Sequence, residues 1–152
     1  MNSPQPWDHL ISIQGVVDFR AEGIRRYGGA MMTKPPEDCI DASLGAAWSA
    51  GLYREPEESK PGLCFAAHVL YYISRNHCFT EGNKRAAWLS TMEILARLGL
   101  TVRATVEEAF TMMEDVIKGG IPDADGVIFW MESRLEVLSF SPLASSVPPQ
   151  PS

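Results

Sequence analysis

His77-Cys78-Phe79-Thr80-Glu81-Gly82-Asn83-Lys84-Arg85 (HCFTEGNKR) joins two stretches of helical periodicity. Before it, Leu63, Ala66, Ala67, Leu70, Tyr71 and Ser74 form a stripe of small and apolar residues, which predicts a central, buried helix. After it, Ala87, Thr91, Ile94, Leu95 and Leu98 keep the helical spacing, and Gly99 supplies a stop just past Arg97. The nine residues therefore form a joint, with Gly82 permitting a tight turn into the second helix.

The chemistry of the joint follows from its place at a helix start. Backbone N–H groups and the positive end of the dipole attract an anion there, and a phosphate suits the geometry. Lys84 and Arg85 oppose the dipole in that first turn, so helix stability alone does not favour them; a bound anion accounts for both. Asn83 either caps the helix or hydrogen-bonds a phosphate oxygen. Glu81 offers a hard carboxylate oxygen of the kind that holds magnesium beside substrate phosphates. His77, at the entrance, suits a general base near neutral pH. Phe79 is expected to point inward and anchor the loop. The plain alternative is a helix-loop-helix corner with a polar cap. Cys78 adjoins His77, but no second base is evident for a thiolate nucleophile.

Working outward, Ile13, Val17, Ala21 and Ile24 fall on one face of a first helix that stops at Gly28-Gly29. Gly29 to Pro36 has loop composition, and the pair Met31-Met32 marks it as a target-binding flap. Asp38 to Leu52 predicts a second helix, and the polar, breaker-rich segment REPEESKPG (54–62) a loop. Thr105 and Glu108 have the spacing of a capping box ahead of a helix ending at Gly119-Gly120, and Asp123 to Val137 predicts a last helix. His68 and His9 read as packing or surface residues, and Met112 and Met113 as core filler. Residues 1–138 form one domain on this reading, and the Ser- and Pro-rich stretch 139–152 a flexible tail.

With 152 residues, 45% hydrophobic and 21% charged, the composition is that of a soluble, folded domain. A net charge of −6 gives little support for direct nucleic-acid binding, so a polyphosphate must be captured locally. Cys39, Cys64 and Cys78 are an odd number without zinc spacing, which argues against a disulfide framework and for a reducing, cytoplasmic location. No apolar run is long enough to span a membrane, and the N-terminus lacks the regions of a signal peptide.

HCFTEGNKR also closely resembles the signature HxFx[D/E]GN[K/G]R of the Fic/Doc (Fido) family, and IRRYGG (24–29) and AAHVLYYISRNH (66–77) resemble its Doc, or death-on-curing, branch. The resemblance implies an all-α, single Fic-type domain of about six helices, with the active-site loop between two central ones. It implies that His77 activates a hydroxyl of a target protein, that Glu81 holds Mg2+, and that Thr80, Gly82, Asn83, Lys84 and Arg85 bind the phosphates of ATP. Family members that transfer AMP usually have glycine where Lys84 stands and a second arginine where Trp88 stands. A lysine in the cradle would crowd the anion position, which favours kinase-like transfer of phosphate. The expectation is a cytoplasmic toxin acting on a host protein, such as the translation factor elongation factor Tu, and restrained by a small antitoxin. AMP transfer is the first alternative; a non-catalytic module binding nucleotide or phosphopeptide is the second.

Overall fold

Leu63 to Leu70 are buried without a break, and Ile73 and Ser74 with them, so this helix needs neighbours on nearly every side. The computed structural model describes residues 4–18, 36–54, 62–78 and 82–138. Six helices occur among them: α1 (13–18 of the described residues), α2 (Glu37–Arg54), α3 (Leu63–Asn76), α4 (Asn83–Arg97), α5 (Val106–Lys118) and α6 (Ala124–Glu132). α2, α4, α5 and α6 all pack on α3. The all-α expectation is met, and the stripe on α3 is the centre of the core.

Small residues allow the close approach. Ala66 and Ala67 of α3, Ala47 of α2 and Ala86 and Ala87 of α4 are fully buried, with Ile40, Leu44, Leu70, Ile94 and Leu95 filling the space between the helices. Full burial of a leucine or isoleucine contributes roughly 1.5–3 kcal/mol, so this layer is the main source of cohesion. Gly62 begins α3 with φ 84°, and a Cβ there would lie 2.2 Å from Cδ1 of Leu98. The positive φ favours glycine, and any side chain there would also require Leu98 to move aside.

The capping box appears as expected. Thr105 Oγ1 accepts from the Glu108 N–H at 3.1 Å, and Glu108 accepts from the Thr105 N–H at 2.8 Å. α5 closes at Gly119 with φ 89°.

The last helix needs correction. Asp123 caps it, but α6 stops at Glu132, and Leu135–Val137 forms a strand, β2, instead of continuing the helix. β2 pairs antiparallel with β1 (Leu100–Val102), in the register Leu100 with Val137 and Val102 with Leu135. Three-residue strands are too short for a period of two to stand out in sequence, and their pairing joins positions far apart in the chain.

Several expectations lie outside the described residues: the Met31-Met32 flap, the end of the first helix, Phe79, Thr80, Glu81 and the tail 139–152.

Candidate active site

α3 ends at Asn76, and His77 follows with φ 51° and ψ 48°, the one non-glycine residue with positive φ among the described residues. That conformation is uncommon for a side-chain-bearing residue and needs support from its surroundings. Support comes from both flanks. On one side, Asn76 Nδ2 donates to Ser43 Oγ at 2.8 Å, and Ser43 Oγ donates to the Cys39 carbonyl at 2.9 Å. On the other, Cys78 is joined to Cys39 by a disulfide, with Cα atoms 5.4 Å apart. His77 itself is exposed between these anchors.

The disulfide corrects the reading of the cysteines. An odd count and the lack of a short-spaced motif argued against a bridge, but α2 packing on α3 brings positions 39 residues apart into bonding range. It also leaves Cys78 without a thiol to act as a nucleophile. Cys64 is buried in the core.

The second half of the joint opens α4. Gly82 is the N-cap, with φ 84° and ψ 13°, and has no side chain to take up the first-turn N–H groups. The Gly82 carbonyl accepts from the Ala86 N–H at 2.9 Å, the first bond of the helix. Asn83 is buried, whereas Lys84 and Arg85 are partly exposed. No acid stands in this first turn, as in that of α3, whereas α2, α5 and α6 open with Glu37 and Asp38, Glu107 and Glu108, and Asp125.

Lys84 has a partner that its local sequence does not suggest. Its Nζ donates to Oε1 of Glu114 on α5 and lies 5.9 Å from the centre of the Phe110 ring, one turn earlier on the same helix. The hydrogen bond from Lys84 and its charge hold the Glu114 carboxyl below the ordinary range. Trp88, one turn along α4 from Lys84, is buried and edge-on to Trp130 of α6 at 6.3 Å, and thus belongs to the packing of the helices.

The remaining histidines behave as packing or surface groups. His68 is buried, with Nδ1 donating to the Cys64 carbonyl at 2.8 Å. His9 is exposed and edge-on to Trp48. Met112 and Met113 are buried in the core, as expected. Sequence reasoning missed Cys39, Ser43 and Asn76, which clasp the entrance of the joint, and Glu114, which lies 30 residues from Lys84.

An all-helical domain with a polar joint between its two central helices is the class that these features define. Residues 8–95, more than half of the 152, match the Fic/DOC family, and the chain belongs to that family. Fic domains transfer a group from a nucleotide to a host protein, and membership assigns this general activity to the chain. No curated protein matches it.

Proposed function

We propose that the chain transfers the AMP group of ATP to a hydroxyl of a protein. The observation that carries this reading is the placement of Lys84. Phosphate transfer was expected because a lysine in the cradle would crowd the anion position, yet its ammonium is engaged by Glu114 and lies over Phe110. With the lysine so placed, the glycine-opened turn of α4 is left to receive phosphate oxygens on backbone donors.

In this reading, the imidazole of His77 takes the proton of the target hydroxyl. The hydroxyl oxygen attacks the α-phosphorus, the bond from that phosphorus to the oxygen bridging to the β-phosphate breaks, and pyrophosphate leaves. Thr80, Asn83, Arg85 and the backbone at Gly82 are assigned to the phosphates, with Lys84 at their margin. The absence of acids from the first turn of α4 and the presence of two cations there suit such a group. Glu81 is assigned to Mg2+, which when bound would offset phosphate charge. Phe79 is assigned as the loop's anchor, and Met31 and Met32 to a flap that contacts the target.

Phosphate transfer of the Doc type is the second reading, favoured by a lysine where AMP-transferring members usually have glycine and by Trp88, buried against Trp130, where a second arginine is expected. There the hydroxyl would attack the γ-phosphorus and ADP would leave. A translation factor such as elongation factor Tu, and restraint by a small antitoxin in the cytoplasm, belong to this reading.

ATP labelled separately on its α- and γ-phosphates, incubated with the protein and a bacterial lysate, decides between the two. Label from the α position on a protein band is expected; label from the γ position alone would overturn AMP transfer in favour of phosphate transfer. His77→Ala should lower transfer by about 10²–10⁴-fold while ATP still binds. Labelling that is unchanged by His77→Ala would overturn the catalytic role of His77, and ATP binding with no labelling beyond that of the lysate alone would leave only a binding module.

A further inference from the structure

Lys84 stands in the first turn of α4, where a cation opposes the helix dipole but would strengthen the grip on an anion. It has been given a counter-charge from another helix, Glu114 of α5, and Glu114 lies beyond the stretch that matches the family. The two side chains are 34% and 39% exposed, so the pair is neither locked in the core nor freely solvated. Glu114 has a second cation within reach: Lys118 Nζ lies 3.6 Å from Oε2, one turn along α5. If Lys84 left, the carboxylate would still have a partner, so the pair can open without leaving a lone charge. The Phe110 ring gives the ammonium a further resting place on the same side.

We propose that Glu114 is a positioning residue that holds Lys84 on α5 and thereby sets how strongly the start of α4 grips a polyphosphate. This rests on the reading of that helix start as the nucleotide site. With the pair closed, Lys84 contributes little to the bound anion. With the pair open, its charge joins that of Arg85 beside the phosphates. The carboxylate thus acts as a brake on nucleotide affinity, delivered from outside the joint.

The test is calorimetric titration of the full chain with magnesium ATP and, separately, with adenosine, at two salt concentrations. Glu114→Gln keeps the shape and removes the charge, and should tighten ATP binding by about 2- to 5-fold, the range of an exposed ion pair. The gain should shrink at high salt, and adenosine binding should not change. Glu114→Asp, which keeps the charge, should stay near the parent affinity. In a Lys84→Met background, Glu114→Gln should have no effect. Melting curves establish that each variant is folded. ATP affinity that does not respond to Glu114→Gln, or that responds equally without Lys84, would overturn the positioning role while leaving the nucleotide site standing. A parent chain that binds no ATP would overturn both.

Discussion

His77 holds a left-handed backbone conformation between two anchors, Asn76 on Ser43 and Cys78 on Cys39. A disulfide spanning 39 positions removes conformational entropy from the unfolded chain, worth about 4 kcal/mol in the loop-closure account. Cys39→Ser should therefore lower the melting temperature of the oxidised protein markedly. Adding a reductant should lower it in the parent but not in the variant; equal melting of both under oxidising conditions would refute the bridge's contribution. At this scale the sequence was legible where chemistry is local. Glycine, asparagine and two cations at a helix start can be read from adjacent letters. The partners of Cys78 and Lys84 were not legible, because Cys39 and Glu114 reach them only through the packing of α2 on α3 and the placement of α5 beside α4.

Among the elements, α5 shows how a helix end can be read in advance, since Thr105 and Glu108 satisfy each other's backbone N–H within one turn. Thr105→Ala should cost about 1 kcal/mol in denaturant unfolding. The bond from the Thr105 N–H, more than the other causes, holds the Glu108 carboxyl below its ordinary range. A lowered folded value means that this stabilisation is complete above the unfolded value of about 4.3 and is lost as pH falls through the lower folded value. Glu108→Gln should flatten the fall of melting temperature between about pH 5 and 3. A slope identical to the parent's would show that the carboxylate does not contribute. The end of α6 was not legible in the same way. Leu135 to Val137 is set by its pairing with Leu100 to Val102, a relation with no local signal.

Across the whole molecule, the helical class was written in the spacing of apolar residues, above all in the stripe that predicted a central, buried helix at α3, where Leu63 to Leu70, Ile73 and Ser74 are buried. Among the described residues no helix is long and apolar enough to cross a membrane. The order of the helices in space was not legible, and with it went the one covalent link that the cysteine count spoke against. That link gives the chain a ring. Starting at Cys39, the backbone runs through most of α2 and all of α3 and returns at Cys78, so the central helix lies within a closed covalent circuit. A protease site inserted between residues 55 and 61 and then cut should yield one band on a non-reducing denaturing gel and two on a reducing gel. Severing the backbone there opens the ring without dividing the molecule, so the two halves of the entrance to the joint stay joined even when the chain between them is broken.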